Sequence, residues 1–233
     1  MEVQLIASGY EPAQAAESKP EAPERKTHIM YTKLDNVGVL HVSGIMYYEY
    51  YPEIYNKARA AVEDAGITAL ILSWNTPGGD VPGLHNLAER LFELRQRKKI
   101  VSYVNTQCMS AGVWAAAGAS GGEIYASSPT DEVGSIGAMF QHMDVSARNA
   151  ALGLKITDIT AGKYKGITTS NRPLTEEGEK VIQAKVGGIY EIFLTSLEKF
   201  FGYSRDAVLT MSEGQVFLAR TAKAVGLVRG IYE

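Results

Sequence analysis

Sulfur chemistry is nearly absent from this sequence. Cys108 is the one cysteine, so no intramolecular disulfide can form, and a reducing compartment is the natural expectation. Cys108 stands two residues before Ser110, where it reads as a small apolar residue at a strand end rather than as a nucleophile. Long hydrophobic runs are missing too. No stretch of about 18 or more apolar residues occurs, so no membrane span is expected. The first residues lack a basic start followed by an apolar core, so no signal peptide is expected either. Charge of one sign is not in excess: 23 Lys and Arg face 26 Asp and Glu, for a net charge of −3. A nucleic-acid interface needs a clustered basic face, and none is expected. The dense basic run Arg95-Gln96-Arg97-Lys98-Lys99 ends a predicted helix, where cations complement the helix dipole. It reads as a solvated helix end. Histidine is sparse: His28, His41, His85 and His142 show no evident partner. No metal site and no cofactor are expected.

What remains is ordinary for a globular protein, with 45% hydrophobic and 21% charged residues in a chain of 233. That length suits one large domain or two small ones. Residues 1–27 are rich in Pro, Ala, Glu and Lys and have little to bury, so a disordered tail is expected there. Residues 28–233 then form a single domain. Val37 to Gly44 reads as a strand ended by glycine. Residues 52–65 predict a helix with Ile54, Ala58, Ala61, Val62 and Ala65 on one face. Ala69-Leu70-Ile71-Leu72-Ser73-Trp74 is a continuous apolar run that suits a parallel strand buried on both faces. A helix over about 81–97 carries Leu84, Leu87, Ala88, Leu91 and Leu94 at helical spacing. A strand at 100–105, an apolar helix after Ser110 and a strand at 123–126 follow. This alternation predicts an α/β domain with a mainly parallel sheet. Further on, the pattern predicts a short helix at 144–152 and a strand at 155–160. Thr175 should cap a long helix to about 201, with Ile182, Val186, Ile189, Phe193, Leu197 and Phe200 on its apolar face. A small helix near 205–210 and a closing segment from Gln215 to Ile231 complete the domain.

The chemistry centres on Ser110, a hydroxyl at a strand-to-helix handover. The first amides of a helix have no internal partner and carry partial positive charge. They can hold a developing oxyanion, although Ser110 can equally be a plain helix cap. Sites in open α/β sheets form outside the carboxyl ends of the strands. The turn Asn75-Thr76-Pro77-Gly78-Gly79-Asp80 should therefore lie near the turn before Ser110. Amides of that glycine turn, with the amide of Ala111, would make a two-donor oxyanion hole, unless the glycines only shape the turn. A serine nucleophile needs a base. A lysine can serve only when neutral, which at its reference pKa is about one molecule in a few thousand at pH 7. Burial lowers that pKa. Lys163 and Lys165 stand in the polar loop Ala161 to Gly166, and the residues alone leave the base open.

Four motifs in order carry a resemblance. Asn75-Thr76-Pro77-Gly78-Gly79, Ser110-Ala111-Gly112-Val113-Trp114, Pro129 through Gly134-Ser135-Ile136-Gly137, and Gly162-Lys163-Tyr164-Lys165 resemble the signal peptide peptidase A family of serine proteases. The closing Glu213 to Arg220 and Ala222 to Val228 are similar to that family's C-terminal signature. The resemblance spans about residues 36–231. It implies a Clp protease/crotonase-like spiral of ββα units. It also implies a serine–lysine dyad with Ser110 as nucleophile, Lys165 as general base and Ser135 hydrogen-bonding the lysine amine. The amides of Gly78 or Gly79 and of Ala111 would bind the oxyanion. Lys165 is preferred to Lys163 because the family's lysine follows an aromatic or histidine residue, here Tyr164.

The sequence departs from the family pattern in places. Ser-Ala-Gly replaces the usual Ser-Gly-Gly, and Arg229 stands where an acidic residue is common. The family's bacterial peptidases carry a membrane anchor, and none is evident here. Ser-Ala-Gly followed by Trp114 resembles the phage head-maturation branch. That branch implies protein substrates such as scaffold and capsid proteins, a homo-oligomer, and a host-cytoplasm or prohead location. The alternatives are an unanchored quality-control protease of the same family, a crotonase-like acyl-CoA enzyme and a non-catalytic assembly protein.

Overall fold

Lys26 and Thr27 lead directly into the body of the molecule. The computed structural model describes residues 26–232, so the tail expected over 1–27 lies otherwise outside the described residues. Thr27 is buried. Its hydroxyl donates to the Ile45 carbonyl at 2.6 Å and accepts from the Tyr47 amide at 3.3 Å.

A twisted sheet then organises the chain. β1 (His28–Leu34) pairs antiparallel with β2 (Val37–Ser43). β2, β3 (Ala69–Thr76), β4 (Lys99–Met109) and β5 (Ile124–Ala126) run parallel in that order. β4 is long enough to serve two neighbours on one side. Its first half pairs with β5, and Gln107–Met109 pair in parallel with β6 (Glu132–Gly134). β7 (Val216–Leu218) adds antiparallel to β6, and β8 (Gly230–Ile231) extends the sheet beyond β5. The interior strands β2 and β3 are buried along most of their length, as runs of Val, Leu and Ile require when helices cover both faces.

The helices follow their apolar spacing. α1 (Tyr51–Glu63) has Pro52 in its first turn and buries Ile54, Ala58, Ala61 and Val62. It ends before Ala65. α2 (Leu84–Leu94) buries all five of its expected positions. The basic run after it lies at the surface as expected: Arg97 and Lys99 are exposed and pair with Glu63 and Glu123, and Lys98 donates to the Asp64 carbonyl at 2.5 Å. α3 (Ala111–Ser120) is buried at every position, the fate of a helix with no polar face. It lies hard against α2. A Cβ at Gly118 would stand 2.5 Å from the Ala88 carbonyl oxygen, so only glycine permits the approach. Trp74, wholly buried, donates from Nε1 to Ser102 Oγ at 3.2 Å, and that hydroxyl donates to the Ala116 carbonyl at 2.8 Å. This chain of bonds ties β3, β4 and α3 together and satisfies the buried Trp74 and Ser102 donors.

α4 (Ser146–Ala151) is short, and α5 (Glu176–Phe201) is long. As expected, Thr175 caps α5, its hydroxyl accepting from the Gly178 amide at 3.1 Å. Glu176, Glu177 and Glu179 favour the positive end of its dipole and Lys199 the negative end. Its predicted apolar stripe is buried only from Phe193 onward; Ile182, Val186 and Ile189 stay half-buried. Phe193 stacks on Trp114 of α3, with centroids 4.3 Å apart and planes 6° from parallel. α6 (Arg205–Thr210) and α7 (Ala219–Ala224) close the domain.

Three expectations change. The strand expected at 155–160 is irregular and exposed, with Ile159 93% exposed. Alternation alone does not hold a strand that has no partner edge. β1 was not expected; a two-residue Asp35-Asn36 turn with Asp35 at φ +52° folds it onto β2. Such turns favour Asp and Asn because they tolerate positive φ. β6 and β7 were not expected either, being three residues each.

Candidate active site

β4 hands over to α3 at Ser110. The corner is tight: Ser110 adopts φ +51° and ψ −116°, outside the comfortable regions for a residue with a side chain. Such a conformation costs about 1–3 kcal/mol and persists only where the surroundings over-determine it. Here they do. The Ser110 amide donates to the Gly134 carbonyl at 2.8 Å, one step beyond the Met109–Gly134 pair of β4 and β6. The Ser110 hydroxyl caps nothing. The capping alternative therefore loses its bond.

The same register brings in Ser135, which follows Gly134 as Ser110 follows Met109. Ser135 has φ +53°, and its amide donates to the Gln215 carbonyl at 2.6 Å. Both serine side chains are half-buried, neither sealed in the core nor fully in water.

The glycine turn after β3 closes over this corner, as the sheet topology predicts. A Cβ at Gly78 would lie 2.7 Å from Ser110 Cβ and 3.2 Å from the Ala111 nitrogen, and Gly78 has φ +105°. A larger residue fails there on both counts. The turn is clamped from its far side: the Met46 amide donates to the Gly78 carbonyl at 2.8 Å, and the Asp80 amide to the Met46 carbonyl at 2.9 Å. Within the turn, the Gly78 amide donates to Thr76 Oγ1 at 3.1 Å. The amides of Gly79 and Ala111 donate to no group among the described residues. Thr76 belongs to a motif visible in the sequence, but its role as the acceptor for Gly78 was not foreseen, nor was that of the Gly134 carbonyl. Replacing Thr76 with valine keeps the shape and strands the buried Gly78 amide. A loss of about 1–3 kcal/mol is expected, read as a lowered urea midpoint with an unchanged slope.

Among the described residues no lysine makes a hydrogen bond to Ser110. Lys165 lies exposed in an irregular loop, and among the described residues its ammonium makes no hydrogen bond or ion pair. Lys163 pairs with Glu177 at 2.7 Å. The hydrogen bond to Glu177, then that to Tyr164, hold the Lys163 amine above its ordinary pKa. No histidine bonds Ser110: His85 Nδ1 lies 3.4 Å from Ser196 Oγ, and His142 Nε2 lies 3.2 Å from the Arg172 carbonyl. Cys108 is buried, and burial pushes its thiol far above the usual range, which leaves it unreactive. Among the described residues no cluster of metal-ligating side chains occurs, and no helix is long and apolar enough to cross a membrane.

Beside Gly79 opens a cleft of about 360 Å³, with Val81, Phe140, Ile182 and Val186 as apolar walls and Asp80 and Lys185 as charged ones. It explains the half-buried upper part of α5. The stripe that the core does not cover faces this space.

Residues 93–232 match the model of a family described as Peptidase family S49. A putative protease of Methanocaldococcus jannaschii is 30% identical over 166 residues, which are 71% of this chain and 52% of that protein. Capsid assembly protease C of Escherichia phage lambda is 26% identical over 208 residues, 84% of this chain and 46% of that protein. The chain thus spans about half the length of the curated relatives it matches. A crystal structure of an enoyl-CoA hydratase/isomerase family member superposes with a TM-score of 0.53 at 15% identity, over 88% of this chain and 70% of that one. The fold is of the Clp protease/crotonase type.

Proposed function

The chain belongs to peptidase family S49, and from that premise we propose that it is a serine endopeptidase in which Ser110 is the nucleophile and Lys165 the general base. The observation that carries this reading is Ser110 itself. Among the described residues its hydroxyl makes no hydrogen bond, and it sits on a strained corner beside a glycine turn whose Gly79 amide is likewise unspent. The neutral lysine amine takes the proton as Ser110 Oγ attacks the peptide carbonyl. The amides of Gly79 and Ala111 hold the resulting oxyanion, while Gly78 supplies the clearance and Thr76 keeps its amide occupied. The protonated lysine then gives its proton to the leaving amine, and water hydrolyses the acyl-serine. Ser135 accepts from or donates to the lysine amine and orients it. The ion pair of Lys163 favours its charged form, which supports Lys165 as the base.

The base reaches Ser110 in an oligomer, supplied by a neighbouring copy. Two features support this. Lys165 is exposed and its ammonium makes no hydrogen bond or ion pair among the described residues, and the loops and short helix over residues 139–159 expose Met139, Met143, Leu152, Leu154 and Ile159. Apolar side chains exposed in such number along one segment mark an association surface. The substrates are proteins, and the named function of the lambda relative supports scaffold and capsid proteins of a prohead, in the host cytoplasm. The acyl-CoA alternative is supported by fold likeness alone, which carries no chemistry.

Lys165→Ala is expected to lower hydrolysis by about 10²–10⁴-fold, whereas Lys163→Ala leaves it within a few-fold. Wild-type activity should rise with pH because the base acts only when neutral. Mixing inactive Ser110→Ala with inactive Lys165→Ala should restore part of the activity, since mixed oligomers hold some intact pairs. No recovery after subunit exchange would return the dyad to a single chain. Full activity of Lys165→Ala would remove Lys165 from the mechanism. Mass-spectrometric mapping of new N-termini in a co-expressed scaffold protein tests the substrate class.

A further inference from the structure

A second cleft opens on the other side of the Asp80–Gly83 loop. It measures about 270 Å³, and its walls include Tyr48, Tyr51, Tyr55, Pro82 and Arg90. Tyr51 is fixed by hydrogen bonds from its hydroxyl to the Met46 and Asp80 carbonyls. Tyr55 is covered on one face by the Arg90 guanidinium, 3.5 Å from the ring centroid. Tyr48 is 58% exposed. Arg90 makes no ion pair among the described residues. Grooves walled by tyrosine and proline, with one cation at the rim, suit polyproline-II segments, which bring preformed proline ridges and little entropy to lose.

The chain carries such a segment shortly before Thr27. Pro20-Glu21-Ala22-Pro23-Glu24 has two prolines three residues apart. In a polyproline-II helix, at three residues per turn, they would share one edge, about 9 Å apart. Thr27 anchors the chain by accepting from the Tyr47 amide, and the next residue, Tyr48, walls the cleft. Pro23 precedes Thr27 by four residues, a reach of at most about 14 Å. Glu21 and Glu24 match the unpaired Arg90 in charge. We propose that this cleft is a polyproline-II docking site and that its occupant is the chain's own Pro20–Glu24 segment. So short a tether gives a millimolar effective concentration, so weak contacts suffice. Pro82 walls both this cleft and the one beside Gly79. Docking therefore braces the loop that carries the glycine turn.

The test uses the full chain with the pair Ala22→Cys and Asn86→Cys, since Asn86 is exposed and lines the cleft and buried Cys108 does not compete. The control pairs Ala22→Cys with Lys223→Cys on α7, which packs at the opposite edge of the sheet near β8. Under mild oxidation the 22–86 pair should close within one chain at least about tenfold faster than the control, because docking raises local concentration. Adding Pro20→Ala and Pro23→Ala should slow it several-fold, to the rate that the tether alone supports. Equal rates for the two pairs, or a rate indifferent to the prolines, would overturn the proposal. A product linked mainly between chains would also overturn it, by assigning the cleft to a second copy's segment.

Discussion

Replacing Ser110 with alanine is expected to lower peptide hydrolysis by about 10⁵-fold or more, with only the residual catalysis of binding and oxyanion donors left. The fold should persist. The hydroxyl makes no hydrogen bond among the described residues, so its removal strands no partner, and the backbone of the corner is held by the Ser110 amide on the Gly134 carbonyl. Intact mass after treatment with a fluorophosphonate probe separates the outcomes. Wild type should gain one adduct, and Ser110→Ala none, with circular dichroism unchanged. An adduct retained in the variant would sink the assignment of the nucleophile. Folded wild type that never labels, as monomer or oligomer, would favour a non-catalytic assembly role. The same probe reads Lys165→Ala independently. Loss of labelling there reports activation of the serine, whereas labelling kept with turnover lost reports a role in leaving-group protonation.

Phe193→Ala is expected to destabilise the molecule by about 3–5 kcal/mol, the range for removing a buried aromatic side chain. Phe193 is 2% exposed and stacks on Trp114, and such stacking adds about 0.5–1.5 kcal/mol beyond area burial. The cavity would open against α3, where the Trp114 indole nitrogen is already buried without an acceptor. For a domain of this size the melting temperature should fall by about 10 °C or more. Phe193→Leu should lose markedly less. A variant that melts with wild type would mean that α5 is held by something other than this stack. Because α3 begins at Ala111, loosening it should also weaken the geometry at Ser110, so residual activity should fall before global unfolding.

Much of this was legible in the residues. The five leucine and alanine positions of α2 are the ones buried, because helical spacing says which face must leave water. The apolar run of β3 is doubly covered, and Thr175 caps the helix it precedes, because both are local demands that any fold must meet. The approach of Gly78 to Ser110 was also foreseen, since consecutive parallel strands present their carboxyl ends together. The spacing of α5 was read correctly as a helix with one apolar face, but that face is fully buried only from Phe193 onward. Periodicity states that Ile182, Val186 and Ile189 prefer burial, but not whether the core extends far enough to bury them. The run at 155–160 failed for a related reason, as a strand exists only where another edge accepts its backbone.

By itself, then, the amino-acid sequence determined the main helices and the central parallel strands, which faces seek cover and which chemical groups sit at the ends of those strands, since these follow from local sterics and hydrophobic spacing. Only the tertiary structure decided that β4 carries two partners, that Gly134 reaches back to hold Ser110 at φ +51°, and that Thr76 takes the Gly78 amide, leaving Gly79 and Ala111 as the open donors. Each of these depends on pairing between residues far apart in sequence, where the energy of a contact is set by register and packing rather than by the identity of neighbours along the chain.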